Sequence, residues 1–205
     1  MRYIKKLPLE DEEKTKRLLS SGWNKLKEPR NISTAILCSL PISFILIVVN
    51  GIWFYYFSTV LRDFIHLDNF RIVFQINIKT MIFIIVILMF LFLHEMIHAL
   101  FIPNIFHSTC TYWGLNGLFG FIYTEEIINK KRFLVISIMP LLILSFLLPA
   151  VLSFLGISNW FIIFLGILNA GGSCVDILNT ILITTQVPSK GKIISNGFST
   201  YYRLI

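Results

Sequence analysis

Four long apolar stretches dominate the chain, and polar clusters separate them. They run from about Thr34 to Phe57, Thr80 to Ile102, Phe133 to Phe154 and Trp160 to Thr185. A helix gains about 1.5 Å per residue and needs about 20 apolar residues to cross the hydrocarbon core, so each stretch predicts one membrane span. Pro41 and Asn50-Gly51 interrupt the first, and Pro140 and Pro149 are expected to kink the third. Trp53, Tyr55 and Tyr56 read as the aromatic belt where the first span meets the headgroups.

The connecting segments are less regular. In residues 1–31, Glu10-Asp11-Glu12-Glu13 precedes Lys14, Lys16 and Arg17, with Leu18, Leu19, Trp23 and Leu26 among the polar positions. That pattern suits either an amphipathic helix lying at the membrane surface, its tryptophan at headgroup level, or a solvated juxtamembrane tail. The alternation from Phe70 to Ile76 suggests a short strand, and His66 near Asp68 reads as part of a surface loop. Trp113 to Tyr123 is glycine-rich and too short for an ordinary span. A hairpin or re-entrant loop is expected there, covered by protein or lining a wet cavity. It offers either plain loop packing or an edge to which an extended peptide adds as a strand. The expected class is an all-α polytopic membrane protein with about four transmembrane helices and a possible re-entrant or β-hairpin loop. Its expected divisions are a cytoplasmic juxtamembrane segment 1–31, an integral membrane domain 32–187 and a cytoplasmic tail 188–205.

Composition supports a bilayer environment: 56% of the 205 residues are apolar and 14% charged, against about 25% charged in soluble domains. The net charge of +7 does not point to nucleic acid, because nine of the 18 Lys and Arg precede Ile32 and most others flank apolar runs. Anionic headgroups and the positive-inside preference explain that placement. Residues 1–31, Lys130-Lys131-Arg132 and the tail all fall on the cytoplasmic side if four spans leave both termini inside. A bacterial cell membrane is the expected location. The N-terminus has no signal-peptide pattern, so the first span is expected to stay in the mature protein. Cys38, Cys110 and Cys174 form no metal or disulfide spacing.

The candidate chemistry lies inside the second apolar run, at His94-Glu95-Met96-Ile97-His98. Helical positions four apart share a face, so His94 and His98 can present two imidazoles to one metal ion with Glu95 beside them as general base. Zinc is the expected ion, and catalytic zinc usually takes three protein ligands. Asp176 is the candidate third, being the only acidic residue after Glu126. With both termini inside, it lies at a similar depth to His94. Glu125 and Glu126 are spare candidates that read better as solvated charges. Asn169, Gly172 and Ser173 share the helical face of Asp176 and are the candidate substrate-binding residues. Asn169 either orients a substrate or holds helix packing by a buried hydrogen bond, and Gly171 and Gly172 leave room for close approach. His107 is either an oxyanion donor or a loop histidine at the headgroup boundary. Cys174 reads as helix packing.

Together the two motifs resemble the intramembrane zinc metallopeptidases of the site-2 protease superfamily, and most closely a bacterial family of small membrane proteins described as putative zincin peptidases. The resemblance implies His94, His98 and Asp176 as zinc ligands, Glu95 as base and Asn169 as a substrate-orienting residue. In site-2 proteases the later motif usually carries prolines between its asparagine and a Leu-Asp-Gly, whereas this chain reads Asn169-Ala170-Gly171-Gly172-Ser173-Cys174-Val175-Asp176-Ile177. The implied activity is a zinc endopeptidase acting on membrane proteins or peptides, in which Glu95 takes a proton from the attacking water and returns it to the leaving amine. The alternative is a non-proteolytic zinc-containing membrane protein with an immunity, regulatory or chaperone-like role. A homo-oligomer could supply further surfaces. A transporter fits less well, for the spans show no internal repeat.

Overall fold

The computed structural model describes residues 1–65, 77–116 and 119–204. The proposed strand at 70–76 and the His66/Asp68 pair lie outside the described residues.

Among the described residues four helices are long and apolar enough to cross a membrane: Ile32–Phe57, Ile78–Phe101, Lys130–Phe154 and Trp160–Gln186. The first, α2 (Ile32–Phe57), starts at Asn31, whose Oδ1 accepts from the Thr34 N–H at 2.9 Å. It follows a short surface helix, α1 (Glu12–Ser20), and precedes α3 (Thr59–Ile65). The second, α4 (Ile78–Phe101), opens on a capping box between Asn77 and Thr80. Such caps satisfy backbone N–H groups that have no partner within the helix. In the richest apolar windows of α2 and α4 only 11% and 17% of residues are buried, against 39% in each of the other two spans. The first two therefore offer most of their side chains to lipid, and the later two form the packed centre.

Neither later span is a uniform rod. The third consists of α5 (Lys130–Pro140), a π-helical stretch (Leu141–Leu147) and α6 (Leu148–Phe154). The expected proline kinks are absorbed as this widened segment, which begins directly after Pro140. The fourth breaks at Ser173 into α7 (Trp160–Gly172) and α8 (Cys174–Gln186). Phe90 and Ile97 of α4 pack on Leu144 and Leu165, joining the second span to both.

The all-α expectation is corrected by two small sheets. One takes the order β1-β3-β4, from β1 (Arg2–Tyr3), β3 (Thr111–Asn116) and β4 (Phe119–Thr124). Its hairpin matches one of the two readings of the glycine-rich segment, and β1 adds to it in parallel. The other takes the order β2-β7-β6-β5, from β2 (Asn24–Lys25), β5 (Ile128–Asn129), β6 (Gly191–Asn196) and β7 (Ser199–Leu204). Residues before the first span, just before the third and after the last thus build one unit. Short strands with few alternating positions leave little trace in a sequence pattern, which hid this sheet.

The expected headgroup position of Trp23 is corrected too. Trp23 is 5% exposed, packed with Leu18 and the fully buried Tyr201. The Arg203 guanidinium lies over its ring at 5.2 Å. Glu10 ties the unit together: its Oε1 accepts from Lys25 Nζ at 2.7 Å and Tyr201 OH at 2.6 Å, and its Oε2 from Ser199 Oγ at 2.8 Å. Burial alone would raise the carboxyl pKa, yet these donors outweigh it and hold the value at about 2. A pKa depressed in the fold stabilises above the unfolded value, near 4.5, and that contribution fades as pH falls toward 2. The thermal midpoint of wild type should accordingly exceed that of Glu10→Gln above pH 4.5, with the gap closing by pH 2. A gap independent of pH contradicts this assignment.

Candidate metal centre

His94 and His98 sit one turn apart on α4, their ring centroids 4.9 Å apart and their planes at 77°. Asp176 reaches them because the fourth span restarts. Ser173 donates its backbone N–H to the Asn169 carbonyl at 2.9 Å and its Oγ–H to the same oxygen at 2.8 Å, closing α7. The new helix then carries Asp176 in its first turn, where the N-terminal end of the helix dipole favours a carboxylate. Gly171 lets this break lie against α2, for a Cβ there would meet Ile47 at 3.1 Å and Ser43 Oγ at 3.3 Å.

The Asp176 carboxylate bridges the two rings. Its Oδ2 is 3.3 Å from His94 Nε2 and its Oδ1 3.4 Å from His98 Nε2. Candidate ligand atoms of the three residues all lie within 4.8 Å of one another. Zinc–nitrogen bonds of about 2.0–2.1 Å in a tetrahedron put neighbouring donors about 3.3 Å apart, so both measured separations match tetrahedral edges.

The outer hydrogen bonds fix what these atoms present. His98 Nδ1 is 2.8 Å from the Ile136 carbonyl, which can only accept, so Nδ1 carries the proton. For His94 the partner is Asn169 Oδ1, at 2.7 Å. The orientation of that amide is set by its other end: Asn169 Nδ2 donates to the Pro140 carbonyl at 3.2 Å and to Ser145 Oγ at 2.8 Å. The Asn169 oxygen therefore faces His94, whose Nδ1 must donate. In the neutral imidazoles both Nε2 atoms are then left with a lone pair facing the carboxylate. Lone pairs facing one another repel unless a proton or a metal ion lies between them, and the tetrahedral spacing suits a metal ion. The donor set thus fits zinc.

Glu95 lies outside this cluster and under the hairpin. A Cβ built on Gly120 of β4 would lie 3.0 Å from Glu95 Cγ, so the strand passes directly over the glutamate. The Ile122 backbone N–H is directed at its carboxylate. Ile122 pairs with Trp113, whose carbonyl accepts from the Ile4 N–H of the opposite neighbour at 2.9 Å. The two backbones of that pair face away from each other, which turns Ile122, and Gly120 two residues on, to the outer edge of β4. Gly120→Val should displace Glu95 and lower turnover by roughly 10²-fold, the scale of a misplacement of about 1 Å, with zinc content unchanged. Loss of zinc along with turnover contradicts that prediction.

The other candidates from the sequence divide between support of the centre and the surrounding fold. Asn169 is 2% exposed, with its amide committed to His94, Pro140 and Ser145. Ser173 is fully buried, its hydroxyl spent on the Asn169 carbonyl. A Cβ on Gly172 would meet nothing within 4 Å. Glu125 pairs with Lys14 of α1 at 2.7 Å, and Glu126 accepts from Ser108 Oγ at 2.7 Å, so both are engaged outside the cluster. His107 is exposed on the turn after α4. The Cys174 thiol takes a hydrogen bond from Ser39 Oγ at 3.2 Å, between α8 and α2. The roles of Ile136, Ser145 and Gly120 were not foreseen. Pro140 and Pro149 signalled a disturbance in the third span.

Two histidines and a glutamate on one helix, with a carboxylate brought from another, define a zincin-like centre set among helices long enough to span a bilayer. The chain belongs to the putative zincin peptidase family, whose model matches residues 86–190, just over half of the sequence. That range contains His94, Glu95, His98, Asn169 and Asp176. No curated protein and no solved structure matches the chain.

Proposed function

We propose that this protein is a zinc-dependent endopeptidase that hydrolyses peptide bonds of membrane proteins or membrane-associated peptides. The observation carrying the reading is the meeting of two imidazole lone pairs and one carboxylate at tetrahedral spacing, with Glu95 next in sequence to a ligand. Zinc bound by His94, His98 and Asp176 would supply Lewis acidity, bringing the pKa of a water toward neutrality. Glu95 then accepts the proton of the attacking water and delivers it to the leaving nitrogen. Asn169 acts from behind, holding His94.

The outer edge of β4 supports an extended substrate. Gly120 and Ile122 offer backbone groups beside Glu95, and a peptide adding there as a strand would bring its carbonyls to the base. A cavity of about 170 Å³, lined in part by Glu28, Ser195, and Val175 and Asn179 from the helix that carries Asp176, supports a water route. The basic flanks support an arrangement with both termini in the cytoplasm and the cleavage site in the inner half of a bacterial cell membrane.

The test is cleavage of a panel of single-span peptides by the purified protein in lipid nanodiscs. Cleavage should stop on chelation and return with zinc. A stoichiometric zinc protein that leaves the whole panel intact, or cleavage indifferent to chelation, contradicts the proposal; the first outcome favours a non-proteolytic zinc protein.

A further inference from the structure

The third span holds the candidate ligand His98 directly and His94 through Asn169, and the way it frees its acceptors is unusual. Inside a helix each carbonyl is normally taken by the N–H four residues later, leaving nothing for a side chain on another helix. Ile136 escapes this because the residue four places on is Pro140, which has no N–H. The next donor, the Leu141 N–H, goes to Ile138. The Ile136 carbonyl is left for His98 Nδ1, at 2.8 Å.

The π-helical stretch beginning at Leu141 holds the second support. Pro140 O and Ser145 Oγ together grip the Asn169 amide that faces His94. The same substitution of a side chain for a missing N–H recurs one step along. Pro149 lies four residues after Ser145, and the Ser145 carbonyl accepts instead from Asn50 Nδ2 of α2 at 2.8 Å. Asn50, Ser145 and Asn169 are all buried, so these bonds form away from competing water.

We propose that Pro140 is a positioning residue of the metal centre: by withholding an N–H from its own helix it hands the Ile136 carbonyl to His98 and fixes that ligand's tautomer. The inference rests on the zinc reading above. A proline inside a helix is ordinarily a cost, and here the cost secures the outer partner of a ligand.

The experiment compares wild type, Pro140→Ala and Pro41→Ala, the last making the same change in α2, where Pro41 is exposed. Zinc affinity is measured by chelator competition, and the ¹⁵N shifts of the His98 ring are read in the metal-free protein. Pro140→Ala restores an N–H that competes for Ile136. It should weaken zinc binding about 10-fold, at the lower end of what loss of an outer partner costs. Its metal-free thermal midpoint should not fall, and the Nδ1–H signature of His98 should shrink. Pro41→Ala should bind zinc like wild type. Unchanged affinity and tautomer in Pro140→Ala overturn the proposal, as does an equal loss of affinity in Pro41→Ala. Wild type gives an independent check should Pro140→Ala fail to fold: a metal-free His98 protonated at Nε2 and not at Nδ1 overturns the proposal without any variant. Failure of wild type to bind zinc sinks the metal reading instead, and the ring measurement still decides the role of Pro140.

Discussion

Replacing Glu95 by glutamine should lower peptide cleavage by about 10³-fold, within the range of general acid–base catalysis, while zinc remains bound at one equivalent. The separation follows from where the side chain lies. Glu95 is outside the His94, His98 and Asp176 cluster and lies under β4, so the amide removes a proton acceptor without removing a ligand. Glutamine also keeps the shape of the residue under Gly120. Cleavage near the wild-type rate would remove Glu95 as the base; loss of zinc in this variant would mean that it serves the metal.

Replacing Asp176 by alanine should have the opposite signature, with zinc and cleavage lost together. Among the described residues Asp176 is the proposed ligand from outside α4, and its two oxygens lie 3.3 and 3.4 Å from the two Nε2 atoms. Two imidazoles one turn apart leave a zinc site one protein ligand short of the usual three. Affinity should fall by more than the roughly 10- to 100-fold that loss of an outer partner costs. The same change opens no gap in the outer bonds, because His94 still meets Asn169 and His98 still meets Ile136. Chelator competition with folded protein checks this, and near-wild-type affinity contradicts it.

Much of the centre was readable from residue type and spacing. His94 and His98 fall four apart in an apolar run, where two imidazoles and a glutamate carry a desolvation cost that calls for a partner. Asp176 stood out for a related reason, as a lone acid in a later apolar run. What spacing could not give was the break at Ser173. A helix continuing through Gly171 and Gly172 shows the same apolar count as one that stops and restarts, yet the restart puts Asp176 in a first turn. Asn169 was visible as a buried polar residue, but two of its partners come from the third span, outside any local pattern. The small sheets were the least legible part. Leu18, Trp23 and Leu26 have the spacing of a membrane-surface helix, and only the return of the C-terminal hairpin, with Tyr201 and Ile193 to cover them, shows where they belong.

Pro140 joins these levels. In the sequence it is an expected kink, in the fold the point where an α-helix widens, and at the site the reason a carbonyl is left for His98. The absent N–H links all three.

X-ray absorption at the zinc edge of the purified protein tests the central claim most directly. One zinc per chain is predicted, with two imidazole nitrogens and a carboxylate oxygen at about 2.0–2.2 Å and no sulfur, and with that signal lost in Asp176→Ala. A shell containing cysteine sulfur, or the same shell in the alanine variant, would show that the ion is held elsewhere.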